Sequence, residues 1–438
     1  MIEFNQNARI KTCVICPIIS GKEQSLSAES RLQEAIGLAL AINLDIVYSE
    51  IVKLKELRPA TYFSRGFTER LRPIIEEKAI ELMVVDTLLT PIQQRNLERE
   101  FKLKVIDRTA LILEIFGERA QTKEGSLQVE LAHLTYQRSR LVRSWTHLER
   151  QRGGAGFLGG PGETQIELDR RIIDDKIVRI KKDLEKVRQT RDIQRGARRK
   201  VPYPIVALVG YTNAGKSTLF NHLTQSNVMA ADMLFATLDP TMRKIKLPSG
   251  MEVILSDTVG FISDLPHELV MAFRATLEEV LNADIVLHIR DISNPDTASQ
   301  RADVLQVLES LGLKEIKYAD NYIEVLNKAD LLEDTEHTNW HNKTKESSSA
   351  VLTSAFSGEG CKRLLHLIEQ KLTDSHLLCV VSFPLSDGKT AAWLHQNCKI
   401  QKLENDKKQN TYTIAIRPDD LARLGKMAQQ NHEISIRK

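Results

Sequence analysis

The segment from Gly210 to Ser217 reads GYTNAGKS and matches the pattern G-x-x-x-x-G-K-[ST]. It follows an apolar stretch at 205–209 and precedes a predicted helix that begins near Lys216. Its glycines allow a tight loop whose amides converge on a phosphate at the positive end of the helix dipole. In such loops the lysine bridges the β- and γ-phosphates and the last hydroxyl ligates Mg²⁺. We therefore predict that Lys216 is catalytic and that Ser217 is a metal ligand.

A second apolar strand ends in the tetrad Asp257-Thr258-Val259-Gly260, which has the pattern D-x-x-G. Such tetrads are common, but this one lies one strand after the phosphate loop. In that place Asp257 would hold Mg²⁺ through a water molecule. The Gly260 amide would meet the γ-phosphate, so Gly260 joins the predicted catalytic residues.

Two further loops predict that the base is guanine. The strand 322–326 is followed by Asn327-Lys328-Ala329-Asp330, an N-K-x-D tetrad. A carboxylate at Asp330 can accept hydrogen bonds from guanine N1–H and its 2-amino group, whereas adenine presents an acceptor there. Lys328 can lie over the base, and Asn327 can tie this loop to the phosphate loop. An amide of the later segment Ser354-Ala355-Phe356 can donate to guanine O6.

These four elements occur in the right order, each at the carboxyl end of a predicted strand. Together they resemble the site of a Ras-like P-loop GTPase. The segment between the first two elements reads FATLDPT from Phe235 to Thr241. A switch loop needs a threonine that reaches both Mg²⁺ and the γ-phosphate, and the residue types allow Thr237 or Thr241.

One expected part of a Ras-like site is missing. The residue after D-x-x-G is usually a glutamine that orients the attacking water, but here it is Phe261. We therefore expect slow intrinsic hydrolysis that a partner or another residue stimulates. Asn213 occupies the place where some P-loop GTPases hold a potassium ion, and a residue that only caps the turn is an equally good interpretation.

The composition places this site in a larger soluble protein. The chain has 438 residues, which at roughly 150 per domain predicts about three domains. The N-terminus does not resemble a secretory signal, and no apolar run approaches the ~20 residues of a membrane helix. Five cysteines do not make a disulfide framework, and we interpret Cys13 and Cys16 as packing residues of a strand. We expect a cytoplasmic monomer without a membrane span, with peripheral membrane association as an alternative.

The pattern of strands and helices predicts an α/β protein with four parts. Residues 1–108 alternate strands and helices and predict a small parallel α/β domain. Residues 109–200 predict an antiparallel helical hairpin with a glycine-rich tip. Residues 201–372 predict the doubly wound P-loop GTPase domain, with 333–349 as a polar surface insertion. Residues 373–438 predict a small C-terminal α+β domain.

The hairpin prediction depends on apolar residues at alternating spacings of three and four. Two such seams surround the stretch RGGAGFLGGPG at 152–162, whose six glycines exclude a helix there. The seams consist of Leu127, Leu131, Leu134, Leu141, Trp145 and Leu148 in the first helix and Ile173, Ile177, Ile180, Leu184 and Val187 in the second.

Charge is concentrated in this hairpin. Residues 138–200 contain 18 Lys and Arg against 9 Asp and Glu, a net charge of +9, whereas the whole chain carries +3. The run 188–200 holds six basic residues and one acidic residue, Asp192. Helical hairpins often carry solvated charge, but such an excess beside a glycine-rich tip favours contact with RNA.

Several stretches resemble the HflX family of ribosome-associated GTPases. They are Asp107-Arg108-Thr109, GSLQVEL at 125–131, WTHLER at 145–150 and, most specifically, GGAGFLGGPGETQIE at 153–167. FATLD at 235–239 and DTVGFI at 257–262 also match the family's switch regions. The resemblance covers about residues 10–372, and the C-terminal part matches only loosely.

This resemblance implies a cytoplasmic GTPase that binds the large ribosomal subunit and its rRNA and splits stalled ribosomes, often under stress. It assigns the second Mg²⁺ ligand to Thr237, which thereby joins the catalytic residues. Hydrolysis of ATP is also associated with the family, although these residues explain no adenine site. A GTP-switched regulator that binds other structured RNA is the alternative function. The implied GTP and GDP contacts are Gly210, Tyr211, Thr212, Asn213, Ala214, Gly215, Lys216, Ser217, Phe235, Ala236, Thr237, Leu238, Asp239, Asp257, Thr258, Val259, Gly260, Asn327, Lys328, Ala329, Asp330, Ser354, Ala355 and Phe356.

Overall fold

Three β-sheets and a pair of long helices organise the chain. The computed structural model describes residues 9–19, 26–151, 161–198, 203–225, 234–235, 241–263, 280–313, 316, 319–374, 377–405, 409–416, 421, 423–425, 427–428, 431 and 434–437. The predicted α/β architecture, with parallel sheets and a P-loop domain, is confirmed. None of the helices in the described ranges is long and apolar enough to cross a bilayer.

The first sheet lies in the N-terminal part. Its strands are β1 (Lys11–Ile19), β2 (Asp45–Leu54), β3 (Leu82–Val85) and β4 (Lys104–Asp107), and its helices are α1 (Ala28–Leu40), α2 (Arg65–Glu77), α3 (Pro91–Phe101) and α4 (Arg108–Arg119). The strands are parallel in the order β2-β1-β3-β4. Hydroxyls of Ser27, Ser64 and Thr90 cap the first three helices. Cys13 and Cys16 are fully buried in β1, in agreement with a packing role.

The predicted helical hairpin forms from α5 (Lys123–Gln151) and α6 (Pro161–Arg198). Its apolar seam packs Leu134 against Ile177 and Ile180, and an ion pair joins Arg138 to Asp174. These contacts show that the helices are antiparallel, because residue numbers rise along α5 from Leu134 to Arg138 while those of their partners fall along α6 from Ile177 to Asp174. The prediction that 152–162 excludes a helix is wrong at its C-terminal end, because α6 begins at Pro161, and proline suits the first turn of a helix. The rest of the tip, 152–160, lies outside the described residues, as do the side chains of the basic residues from Arg188 onward that the sequence singled out.

The second sheet carries the phosphate loop. Its strands are β5 (Ile205–Gly210), β6 (Thr241–Lys246), β7 (Glu252–Asp257), β8 (Ile285–Asp291), β9 (Tyr322–Asn327) and β10 (Ala350–Leu352), and the helices described around it are α7 (Lys216–Thr224), α8 (Thr297–Ser310), α9 (Asp334–Thr344) and α10 (Cys361–Asp374). The order is β10-β9-β8-β5-β7-β6, and only the β6–β7 pair is antiparallel. The carboxyl ends of β5, β7 and β9 therefore meet at one edge, where ligands bind in doubly wound folds.

The polar segment 333–349 differs from its prediction in one respect. It lies at the surface as expected, but most of it forms the helix α9. Its anchor is Trp340, which packs against a small core that contains Ile292, Leu326 and Leu352. One aromatic residue in a polar segment gives no helical period, so the sequence pattern missed this helix.

The third sheet is antiparallel and belongs to the C-terminal part. Its strands are β11 (Leu377–Pro384), β12 (Lys399–Asn405), β13 (Gln409–Ile416) and β14 (Ser435–Arg437), with helix α11 (Gly388–Asn397) after the first strand. The order is β12-β13-β11-β14. This arrangement agrees with the predicted α+β part, although the short edge strand β14 was not foreseen.

Candidate guanine-nucleotide site

The phosphate loop, residues 210–217, runs from β5 into α7, as the sequence predicted. Gly215 at the N-terminus of α7 has a φ of +91°. A Cβ atom added there would lie 2.2 Å from Asn327 Nδ2. Both the backbone conformation and this close approach require glycine, so the loop can bring its amides toward a ligand without side chains in the way.

Lys216 is held in a defined orientation inside this loop. Its side chain is buried, and Nζ donates hydrogen bonds to the carbonyl oxygens of Gly210 at 3.1 Å and Tyr211 at 2.7 Å. An ammonium group has three N–H bonds, so a phosphate oxygen can accept the third. Burial lowers the pKa of Lys216 to about 8, and the nearby Asp257 carboxylate opposes this shift.

The lowered pKa of Lys216 predicts that GTP binding takes up a proton at alkaline pH. Phosphate groups stabilise the charged amine, so its pKa should rise on binding. At pH 9 the free amine is mostly neutral and uptake should approach about one proton, whereas at pH 7 uptake should be about zero. Affinity should therefore fall as the pH rises above about 8. Titration calorimetry in buffers of different ionisation enthalpy measures the uptake, and equal values at both pH values would contradict the prediction.

The oxygen atoms in the first turn of α7 and at the end of β7 suit a magnesium ion. Ser217 Oγ donates a hydrogen bond of 2.7 Å to Asp257 Oδ2. Asp257 is fully buried, and its neighbour Thr258 is fixed by a hydrogen bond of 2.6 Å from Oγ1 to the Leu208 carbonyl. A hydroxyl and a carboxylate are hard oxygen donors of the kind that Mg²⁺ prefers beside nucleotide phosphates. These residues therefore fit the ion that the sequence predicted.

Gly260 lies directly against the phosphate loop. A Cβ atom added to it would lie 2.8 Å from Thr212 Cγ2 and 3.0 Å from Lys216 Nζ. Thr212 is itself buried, and its hydroxyl has no hydrogen-bond partner among the described residues. The preceding Val259 is buried as well, and it is the backbone of Gly260 that lies against Thr212 and Lys216 of the phosphate loop.

The residue in the place of the usual glutamine points elsewhere. Phe261 is 2% exposed and belongs to the hydrophobic core shared with the N-terminal helices. Its amide donates to the Gly210 carbonyl at 3.1 Å, and its carbonyl accepts from the Thr212 amide at 2.7 Å. An apolar ring buried in the core cannot orient water, in agreement with the reasoning from its residue type.

Asn327 ties the base-recognition loop to the phosphate loop. Its Nδ2 donates to the Ala214 carbonyl at 2.8 Å, and its Oδ1 accepts from the Ala355 amide at 2.9 Å. Asn327 is buried, and Thr353 Oγ1 donates to the same Oδ1. One amide therefore fixes three loops relative to one another, as the N-K-x-D pattern suggested.

The predicted guanine acceptor is exposed and oriented. Asp330 is solvent-accessible, and its Oδ1 accepts a hydrogen bond from Ser354 Oγ. Lys328 has a φ of 66°, and its Nζ pairs with Asp291 Oδ2 at 2.8 Å. Ala329 is buried, whereas Phe356 is 85% exposed. The sequence reasoning did not include Asp291 at the end of β8, because a single aspartate at a strand end forms no motif.

Of the predicted first switch segment, 235–241, the structure describes Phe235 and Thr241. Phe235 is 2% exposed, and its ring packs edge-to-face on Phe116 of α4 with centroids 4.7 Å apart. This places its ring in the shared core, together with Tyr211 and Val259 of the nucleotide loops. The other predicted contacts of this segment, Ala236, Thr237, Leu238 and Asp239, lie outside the described residues. Thr241 begins β6 and is half-buried.

Asn213 is exposed and has a φ of 59°. Asparagine tolerates this left-handed conformation better than most residues, so the turn alone can explain its presence. The geometry leaves its predicted role toward a potassium ion as a proposal.

Comparison with known proteins places this site in a family. Three family profiles match: one described as GTP-binding GTPase N-terminal at 29–117, one as GTP-binding GTPase Middle Region at 119–198, and one as 50S ribosome-binding GTPase at 205–328. The curated GTPase HflX of Magnetococcus marinus is 46% identical over 407 residues, which are 93% of this chain and 93% of that protein. This chain belongs to the HflX family of GTPases. The GTPase HflX of Escherichia coli K12 is 41% identical over 371 residues, 85% of this chain and 86% of that protein.

As a member of the HflX family, the chain binds guanine nucleotides and hydrolyses GTP to GDP and phosphate. P-loop GTPases use Mg²⁺ with the nucleotide. Among solved structures, a GTP-binding protein from Sulfolobus solfataricus in complex with GDP aligns with a TM-score of 0.45 and 22% identity, over 83% of this chain and 99% of that one. A likeness of that degree has no bearing on function.

Proposed function

We propose that this chain binds the large ribosomal subunit in its GTP-bound form and splits stalled ribosomes into subunits. The observation that carries the proposal is the combination, in one chain, of a strongly basic hairpin with a phosphate loop and a base-recognition loop that Asn327 ties together. The profile that matches 205–328 is described as a 50S ribosome-binding GTPase, which supports the choice of partner. The proposed sites remain those of the sequence analysis, with Ser217 and Thr237 on Mg²⁺.

The hairpin supports contact with rRNA. Residues 138–200 carry a net charge of +9, and the described part of α6 exposes most of its surface. Lysine and arginine on a long helix neutralise phosphates and release counterions, which makes binding tight and salt-dependent. We propose that the glycine-rich tip approaches the peptidyl transferase region, where backbone amides can reach phosphates and bases closely.

The nucleotide site supports partner-stimulated hydrolysis. Phe261 is buried in the core, so this chain offers no glutamine beside Gly260 to orient the attacking water. We propose that the large subunit completes the site and that hydrolysis then releases the protein. The GTP-bound form would order the switch segments against the ribosome, and the GDP-bound form would not.

A sedimentation experiment tests this function. The full chain is mixed with ribosomes, isolated large subunits or isolated small subunits, with GTP, a non-hydrolysable GTP analogue or GDP. We expect binding to large subunits with the analogue and not with GDP, faster GTP hydrolysis with large subunits, and conversion of whole ribosomes to subunits. Preferential binding to free structured RNA would instead support a GTP-switched RNA regulator. Absence of both subunit binding and stimulation would refute the proposal.

Charge reversal in the basic run predicts a weaker salt dependence of ribosome binding. The double variant Arg195→Glu and Arg198→Glu should reduce the slope of log affinity against log salt by about one to two, since fewer counterions are released. The matched control reverses two exposed lysines of the GTPase part, Lys345→Glu and Lys362→Glu, and should keep the parental slope. Equal slopes for both double variants would show that the run is not in the contact.

We also propose that Asn213 helps to hold a potassium ion beside the phosphates. Its exposed, left-handed position at the third residue after Gly210 supports this. Hydrolysis should then be faster in potassium than in sodium salts of equal ionic strength. The Asn213→Gly variant keeps the turn conformation and should lose that difference.

A further inference from the structure

A buried polar cluster joins the N-terminal part to the two phosphate-facing segments of the GTPase part. Its centre is Arg108, the first residue of α4, whose guanidinium pairs with Glu34 of α1 and Asp86 after β3. The three side chains are at most 8% exposed. None of them belongs to a nucleotide loop, and the family's GTP-binding motifs do not include them.

Two residues of the segments that carry the nucleotide loops enter this cluster. Ser263, at the end of the switch II segment (residues 257–263), donates from Oγ to Glu34 Oε1 at 2.9 Å. Arg108 Nη2 donates to the Ser263 carbonyl at 2.9 Å and to its Oγ at 3.2 Å. Tyr211 of the phosphate loop donates from its hydroxyl to Glu34, and that hydroxyl accepts from the Ser263 amide at 2.7 Å.

The cluster fixes the switch II segment at a position that matters for the γ-phosphate. Ser263 follows Gly260 by three residues, and the intervening Phe261 is bonded through its backbone to Gly210 and Thr212. Phe261 and Ile262 are each 2% exposed in the shared core. Gly260 thus lies between Thr258, which donates to the Leu208 carbonyl, and the anchored Phe261, and its backbone stays against Lys216 and Thr212.

We propose that Glu34 and Arg108 are positioning residues for GTP hydrolysis, which act through Ser263 and Tyr211 to keep Gly260 on the phosphate loop. A preorganised amide stabilises γ-phosphate charge without an ordering cost when GTP binds. GDP has no γ-phosphate and gains nothing from this arrangement. The cluster therefore favours GTP over GDP and raises the rate of the chemical step. This inference depends on GTP hydrolysis and not on the ribosome.

The residue before Arg108 leads to a matched control. Asp107 faces the hairpin, where its carboxylate accepts from Tyr136 Oη at 2.9 Å and from Arg140 at 3.1 Å. Tyr136 and Tyr211 therefore each hydrogen-bond a carboxylate of the N-terminal part, but only Tyr211 reaches the switch II segment. Replacement of either tyrosine by phenylalanine removes one hydroxyl group, but only the change at Tyr211 should affect the switch II segment.

The test compares Ser263→Ala, Glu34→Gln, Tyr211→Phe and the control Tyr136→Phe in the full chain without ribosomes. We expect each of the first three to lower kcat about tenfold and to weaken GTP binding about tenfold, with GDP affinity within twofold of the parent. Glu34→Gln combined with Tyr211→Phe should be no worse than the poorer single variant, because both break one cluster. Tyr136→Phe should keep the parental kcat and GTP-to-GDP affinity ratio.

Several outcomes would overturn this inference. One is an unchanged kcat and GTP-to-GDP ratio in the variants that fold, and another is an equal loss in Tyr136→Phe. A rise in kcat would show that the cluster restrains hydrolysis and would overturn it too. Should Glu34→Gln fail to fold, Ser263→Ala decides the matter, since it leaves the buried ion pairs of Arg108 intact. Ribosome sedimentation by the same variants is a separate readout, so the proposed function can fail or hold independently.

Discussion

Replacement of Lys216 by alanine should lower kcat/KM for GTP by about a thousandfold or more. Nζ is buried and oriented by the carbonyls of Gly210 and Tyr211, so the charge is fixed where phosphate charge develops. Loss of one oriented donor in a dry site costs about 10²–10³ in rate, and the missing positive charge weakens ground-state binding as well. Phosphate release under steady-state conditions measures both effects.

The same variant should not be destabilised. Burial lowers the pKa of Lys216 to about 8, which means that the folded protein disfavours the charged form relative to the unfolded chain. At pH 7 this charge therefore costs folding free energy, and its removal should leave the melting temperature unchanged or higher. The matched control Lys362→Ala removes an exposed lysine and should keep both activity and stability. Parental kcat/KM in Lys216→Ala would disprove the assigned role.

The Asp330→Asn variant should bind GTP about a hundredfold more weakly or worse. The carboxylate is exposed and oriented by Ser354, so it can accept from both guanine N1–H and the 2-amino group. Hydrogen bonds to a charged group contribute about 1.5–3 kcal/mol each, and loss of the charge affects both. An asparagine amide can donate to the 2-oxo group of xanthine, so affinity for xanthosine triphosphate should rise in the same variant.

Competition binding with GTP, ATP and xanthosine triphosphate measures this change in base preference. Asp334→Asn is the matched control, because it neutralises an exposed acid in the first turn of α9, four residues away. It should leave all three affinities as in the parent. Unchanged GTP affinity in Asp330→Asn, with no gain for xanthosine triphosphate, would show that this loop does not read the base.

Most of the fold was predictable because its signals are local. The strands and helices of the N-terminal part alternate along the chain as the sequence predicted, and hydroxyl residues cap the first three helices. The hairpin seam was visible because each apolar residue contacts neighbours three or four positions away in sequence. Helix α9 was missed because its aromatic anchor, Trp340, packs on residues distant in sequence.

The nucleotide loops were predictable for a related reason. The tight loop requires glycine at Gly215, and the phosphate requires a positive charge at Lys216. The link between two loops requires the side-chain amide of Asn327. Their local patterns also lie at strand ends, where the order of strands brings them together. Asp291 was missed because a single aspartate at a strand end has no pattern of its own.

By itself, the amino-acid sequence determined the guanine-nucleotide loops, the α/β architecture and the concentration of positive charge in one hairpin. These properties depend on residue types and on short spacings along the chain, and both can be read directly from the sequence. Only the tertiary structure decided that Phe235 and Phe261 lie in a core shared with the N-terminal helices. It alone brought Glu34 and Arg108 to Ser263, across 229 and 155 residues of chain, because hydrogen bonds at such separations leave no periodic trace in a single sequence.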